Sequence, residues 1–213
     1  LPEELQDVEL DGLIASAGSD IWFHGQNVYR QSLSPELIEH TCQILKEMDA
    51  VYLLEGFDRI YVSEKAQRIL LGKEVLPNDN PELVRWKKYF RQKPNLYPIE
   101  EWTPDGEKVP KITFMLFHVV FFPAAYDDFW NGELISRTAD KGTAIQKAAE
   151  LLHIGIEDTI AFGDSMNDYE MIEKAGCGVV MANGDEYLKT IADRICESVQ
   201  EDGVVRELER MHL

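Results

Sequence analysis

Ile160-Ala161-Phe162-Gly163-Asp164-Ser165-Met166-Asn167-Asp168 is the stretch on which the reading of this chain turns. Three apolar residues make a short strand, and Gly163 lets the backbone turn. Two carboxylates four residues apart, Asp164 and Asp168, then flank Asn167 as a helix begins. In an open parallel sheet, ligands bind just beyond the carboxyl ends of the strands, where Asp164 falls. Hard Mg²⁺ takes oxygen ligands, commonly one or two carboxylates together with substrate phosphate. Asp164 and Asp168 meet that demand as metal ligands, and Asn167 at the helix start can donate to a phosphate oxygen. A turn and a helix cap would also use two acids, so the motif alone favours a metal site without deciding it.

Upstream, Asp140-Lys141-Gly142-Thr143-Ala144 opens a helix over 141–152. A lysine at a helix start opposes the macrodipole, which suggests a task for the cation, such as neutralising a bound phosphate or a carboxylate. A solvated lysine paired with Asp140 would contribute under about 1 kcal/mol. Set at βαβ spacing from the aspartate loop, Lys141 is better read as functional. Beyond residue 140, strands at 159–162, 178–181 and 193–196 alternate with helices at 167–175, 186–192 and 203–211. That rhythm is the mark of parallel crossovers.

The earlier part of the chain has a different texture. Residues 11–17 read as a short buried strand ended by Gly18-Ser19, and 21–23 with 28–29 as a hairpin around 24–27. Ser34-Pro35-Glu36 is a helix start, with Leu37, Ile38, Thr41, Ile44, Leu45 and Met48 recurring on one face. Strands are expected at 50–54, 59–62 and 111–117, and helices at 63–71 and from Pro81 to Pro94. The apolar run 112–122 is either one long strand or two strands lacking their connection. A compact α/β layer interrupted by an inserted module explains this order.

Composition narrows the function classes. The 213 residues carry 39 acids against 21 bases, a formal charge of −18, with a pI near 4.6. This disfavours a nucleic-acid partner, whose phosphates need clustered Lys and Arg, and an anionic membrane surface. No apolar run reaches the roughly 18 residues of a spanning helix. Cys42, Cys177 and Cys196 are odd in number and show no paired spacing, which points to a cytoplasmic protein rather than a disulfide scaffold.

DKGTA, followed by AFGDSMNDYEMIEKAGCGVVMANG and EDGVVREL, resembles the C-terminal half of haloacid dehalogenase-like phosphatases of the Cof-type branch. Residues 11–18 (DGLIASAG) resemble the strand and small-residue turn leading into that branch's C2-type cap. The resemblance implies an α/β fold: a Rossmann-like core of three αβα layers around a parallel sheet, here incomplete, with an inserted α+β cap. Residues 1–33 and 135–213 would form the core and 34–134 the cap. It implies Mg²⁺-dependent hydrolysis of a phosphate monoester, such as a sugar phosphate, through an aspartyl-phosphate. Lys141 then matches the charge-stabilising lysine and Asn167 a residue near the phosphate. Asp164 matches the metal ligand, Asp168 supports the metal directly or through water, and Ser16, Ala17 and Gly18 face the substrate.

The departures define further expectations. The family's nucleophile lies in a DxDGT strand, and a Ser or Thr on the next strand holds the phosphate; neither motif occurs here. The chain opens Leu1-Pro2 without Met, and a βαβ unit of about 30 residues or more is expected to be absent from it. The absent strands would lie between 13–15 and 160–162. Ala17 stands where the family often has Asn, and the run around Phe117-His118 lacks a cap helix. The competing expectation is a non-catalytic descendant or fragment that binds a phosphorylated ligand or partner. His40 and Cys42 are two apart on a helix and do not face one another. His24, His118 and His153 receive no role. Trp86, Tyr89 and Phe90 read as a packed helix face, residues 129–131 as a hinge or lid, and Cys177 as a small core residue.

Overall fold

The computed structural model describes residues 10–73, 81–91, 95–117 and 129–213. The chain divides into two compact units, one running to Gln31 and resuming at Arg137–Leu213, the other Ser32–Ser136. No helix among the described residues is long and apolar enough to cross a membrane.

In the first unit, β1 (Gly12–Ala15) pairs antiparallel with β2 (Asp20–Phe23), which pairs with β3 (Gln26–Arg30). The hairpin turn is tighter than the sequence suggested: His24 and Gly25 alone form it, both with positive φ (47° and 75°), as two-residue turns between twisted strands require. The strand expected over 11–17 stops at Ala15. Ser16–Gly18 form a 3₁₀ turn in which Ser16 and Ala17 are left-handed, φ 50° and 55°. A left-handed residue with a Cβ costs about 1–2 kcal/mol, and glycine forfeits about 0.5–1 kcal/mol in chain entropy. Ala17→Gly is therefore expected to stabilise the protein by about 0.5–1 kcal/mol, read from urea unfolding midpoints.

The carboxyl-terminal part follows the expected rhythm. It contains α4 (Lys141–Leu152), β9 (Ile160–Gly163), α5 (Tyr169–Lys174), β10 (Cys177–Met181), α6 (Glu186–Ile191), β11 (Arg194–Cys196) and α7 (Gly203–Arg210). The strands form a parallel sheet in the order β11-β10-β9. Alternation along the strands sorts the core into two faces. Ala161 and Val180 pack with Ile145, Ile172 and Leu188 from the α4, α5 and α6 side. Val179, Met181 and Cys196 pack with Val204 and Met211 from the α7 side. Cys177 is half-buried beside that second cluster rather than fully enclosed. The result is three layers, αβα. β1 belongs to a different sheet from β9, and the two exchange no hydrogen bonds among the described residues. What joins the two sheets is α4, which packs on both the Ser16–Gly18 turn and α5.

α7 is held by a buried acid. Glu207, 2% exposed, is paired with Arg194 and Arg210. The Arg194 and Arg210 guanidinium groups hold its carboxyl below the usual glutamate range. A depressed folded pKa gives stability that is complete above the unfolded value of about 4.3 and is lost as pH falls through the folded one. Loosening of α7 is therefore expected as pH drops below about 4.3. Earlier hydrogen exchange in 203–210 than in β10 would show it; equal protection at acid pH would contradict it.

The second unit is a five-stranded sheet in the order β6-β5-β4-β7-β8. Its strands are β4 (Val51–Glu55), β5 (Ile60–Val62), β6 (Leu96–Pro98), β7 (Lys111–Phe117) and β8 (Phe129–Ile135), and its helices α1 (Pro35–Glu47), α2 (Glu64–Leu70) and α3 (Pro81–Arg91). Ser34 and Ser63 cap α1 and α2 as their sequences demand, each accepting an amide hydrogen bond at 3.3 Å. The sheet is covered on both faces. Ile38 and Leu45 of α1 join Tyr52 and Leu54 on one; Ile69, Trp86 and Phe90 of α2 and α3 join Val51 and Leu53 on the other. The stripe expected on α1 was too wide: Leu37, Ile44 and Met48 are 42%, 42% and 51% exposed, and Cys42 packs against the core in their place. Residues 129–131 are not a hinge or lid but the start of β8, paired with β7. Pro94, His118 and the proposed missing helix after Phe117 lie outside the described residues.

Candidate active site

The turn after β9 is built around Asp168. Gly163 is required there, because a Cβ would stand 2.7 Å from the Asp168 Cβ. Asp168 is 6% exposed, and both its oxygens are engaged. Oδ2 accepts from the Asp164 amide at 3.1 Å and the Ser165 amide at 3.3 Å. Oδ1 accepts from Lys141 Nζ at 2.5 Å. One side chain thus fixes the backbone of the aspartate loop and the position of the lysine.

Lys141 is the first residue of α4, and the helix start is itself anchored. Asp140 caps it, accepting from the Thr143 amide at 2.7 Å, and lies 3.5 Å from Lys174 Nζ on α5. Burial works to raise the Asp140 carboxyl, but the Thr143 hydrogen bonds and the Lys174 ammonium outweigh it and hold its pKa below the ordinary value. Gly142 lets α4 approach α5 closely, since a Cβ would meet the Glu170 carbonyl oxygen at 2.2 Å. Gly18 does the same for the Ser16–Gly18 turn, where a Cβ would come 2.4 Å from the Asp140 carbonyl oxygen. Ser16, Ala17 and Gly18 are thereby brought against the residue that precedes Lys141.

Asp164 differs from Asp168 in kind. Its carboxylate is exposed and makes no hydrogen bond or ion pair among the described residues. Asn167 is also exposed, its Oδ1 accepting from Ser165 Oγ at 2.6 Å, which leaves its amide hydrogens directed elsewhere. The sequence reading missed the support behind Asp164. Its carbonyl oxygen accepts from the Asp185 amide at 2.8 Å, and Gly184 sits so close that a Cβ would be 2.9 Å from the same oxygen. Asp185 is the cap of α6, a role its place before Glu186 signals. Its bond to the aspartate loop depends on parallel pairing of β9 with β10, which no local pattern reveals.

A lysine at a helix start is thus locked to a buried aspartate, which in turn holds the backbone of an exposed one past a parallel strand. A sequence profile described as haloacid dehalogenase-like hydrolase matches residues 2–208. The chain belongs to this family. Among related haloacid dehalogenase-like proteins, the putative phosphatase YkrA of Bacillus subtilis is 28% identical over 98% of this chain and 79% of its own length. A phosphoglycolate phosphatase of Methanosarcina acetivorans is 43% identical over 35% of this chain, and that match spans 33% of the archaeal protein. The solved structure of the subclass IIB sugar phosphatase BT4131 superposes with a TM-score of 0.73 at 18% identity, covering 98% of this chain and 79% of that one. The fold is therefore the haloacid dehalogenase fold, and the chain is a hydrolase of the phosphatase kind.

Proposed function

We propose that this chain carries the phosphate- and metal-binding side of an Mg²⁺-dependent phosphatase that acts on a small phosphorylated metabolite such as a sugar phosphate. The observation that carries the proposal is the 2.5 Å contact of Lys141 with Asp168, the same carboxylate that accepts from the backbone amide of Asp164. The names of the relatives, phosphatases of phosphoglycolate and of sugars among them, support the substrate class.

The residues fit Mg²⁺ in a specific way. No group of three or more His, Cys, Asp or Glu that could hold a metal occurs among the described residues, but Mg²⁺ is content with one or two carboxylates, waters and substrate phosphate. Asp164 offers such a carboxylate. Asp168, with both oxygens engaged, acts as a positioning residue. Bound Mg²⁺ would supply charge neutralisation at the phosphate oxygens. Lys141 adds a fixed positive charge, and Asn167 an amide donor. Phosphoryl transfer needs mainly such positioning and neutralisation. The DxDGT motif is absent from the 213 residues, so we place the nucleophilic aspartate outside them. A cytoplasmic location belongs to the same reading, supported by three free cysteines.

The test is phosphate release from p-nitrophenyl phosphate and a panel of phosphorylated metabolites, with and without Mg²⁺, by this chain and by its full-length gene product. The expected result is Mg²⁺-dependent turnover by the full-length protein and none by the 213-residue chain. Robust turnover by the chain alone would overturn the placement of the nucleophile. A full-length protein that binds phosphorylated metabolites without turnover would favour the non-catalytic reading, for which the missing motif is the one supporting observation.

A further inference from the structure

At one end of the second unit's sheet lies a cavity of about 270 Å³. It opens where the carboxyl end of α1, the starts of β4 and α2, and the 3₁₀ turn Ile99–Glu101 after β6 come together. Drug-sized ligands fill roughly 300–1,000 Å³, so this space suits a smaller metabolite.

The most deeply buried polar groups of its lining are two hydroxyls, those of Tyr52 and Ser63, residues 6% and 3% exposed. Ser63 Oγ accepts from the Tyr52 amide at 3.2 Å and the Ala66 amide at 3.3 Å. Its own hydrogen meets no acceptor among the described residues. The Tyr52 hydroxyl makes no hydrogen bond among them either. It is not sealed away, since the enclosed polar atoms without partners there are Ser19 Oγ and Trp86 Nε1. Burial, helped by Cys42 and Glu100, pushes the Tyr52 pKa up to about 12, so the phenol stays a neutral donor.

The charges around these hydroxyls are of two kinds. Four are committed to each other: Lys65 lies 2.5 Å from Asp49, and Arg68 2.7 Å from Glu64. Lys46 and Glu100 are exposed and make no hydrogen bond or ion pair among the described residues. Three cations against three acids leave this lining without net charge, in a chain of −18. Such a lining exerts no net pull on a phosphate dianion or a metal cation. It complements a zwitterion: Lys46 and the two hydroxyls donate to a carboxylate, and Glu100 accepts from an ammonium. Ala50 and Ile99 add a short apolar wall.

We propose that this cavity is a binding site for a free α-amino acid with a small aliphatic side chain. The proposal is independent of the phosphatase reading, since every residue it uses belongs to the second unit.

The experiment is a calorimetric and NMR titration of the 213-residue chain with L-valine, isovalerate and isobutylamine. The last two lack the ammonium and the carboxylate in turn. Valine is expected to shift the amides of Lys46, Tyr52, Ser63 and Glu100. It is expected to bind about tenfold more tightly than either analogue, the equivalent of one charge-assisted hydrogen bond. Tyr52→Phe, which keeps the ring, should weaken valine about tenfold. Glu100→Gln should erase the preference over isovalerate alone, and Lys46→Met the preference over isobutylamine alone. A general loosening of the fold cannot produce that crossed pattern, and circular dichroism checks that each variant folds. No shift at these residues with millimolar valine, equal affinity for the three probes, or unchanged preferences in folded variants would overturn the site. Inorganic phosphate that shifts the same four residues would overturn it too, because an anion alone would then suffice.

Discussion

Asp164→Ala is expected to lower Mg²⁺-dependent phosphate release by the full-length enzyme by about 10²–10³-fold, while leaving the stability of the fold within about 0.5 kcal/mol. The two halves of this expectation have separate causes. The carboxylate is exposed and makes no hydrogen bond or ion pair among the described residues, so its removal takes little from the folded state. The backbone of Asp164 is what the structure uses, through its amide to Asp168 and its carbonyl from Asp185, and alanine keeps both. If the side chain holds the metal, activity falls and the Mg²⁺ concentration needed for half-maximal rate rises. Steady-state rates across an Mg²⁺ titration, beside a urea melt, check both halves. Unchanged rates with unchanged Mg²⁺ dependence would remove Asp164 from the metal.

The contrast between the two aspartates marks the limit of what the sequence shows. Both were read as metal ligands from local features, a strand, a glycine and paired acids, which do not distinguish the two. That Asp168 turns inward was not legible, because its partner Lys141 lies a whole helix and strand away. The same limit explains the strands that were missed. Residues 129–131 were read as a hinge or lid, yet they open β8, in which a Cβ on Gly132 would sit 2.6 Å from the Phe114 ring. The glycine admits the aromatic from the neighbouring strand, a pairing fixed by register rather than by propensity. β6 ends on Pro98 and survives because it is an edge strand, where a missing donor is tolerated. On α1 the failure ran the other way. Periodicity marked Leu37, Ile44 and Met48 as core, and they are exposed because the sheet below meets only the narrower stripe of Ile38, Cys42 and Leu45. Local chemistry was therefore readable where one segment does the work, as at Ser34 and in the aspartate loop. It was not readable where two distant segments share it.

Lys141→Met tests such a shared role. An exposed ion pair contributes about 0–1 kcal/mol and breaking a buried one costs about 3–5 kcal/mol. With side-chain exposures of 32% and 8%, the Lys141–Asp168 pair falls between those limits. Lys141→Met is expected to destabilise the chain by about 1–3 kcal/mol, because Asp168 stays buried with only its two amide donors. Asp168→Asn should cost a similar amount, since an amide nitrogen must then face either the ammonium or the backbone amides. The double variant should cost less than the sum, with a coupling of about 1–2 kcal/mol, because methionine and asparagine no longer leave an unmatched charge. In the full-length enzyme, Lys141→Met is expected to reduce kcat by about 10²–10³-fold. Asp168→Asn should reduce it through the misplaced lysine, and adding it to Lys141→Met should then cost little more. Multiplicative losses in kcat would mean that the aspartate acts on the reaction independently of the lysine, as a metal ligand would. Additive stability losses would mean that the 2.5 Å contact contributes nothing to holding the aspartate loop in place.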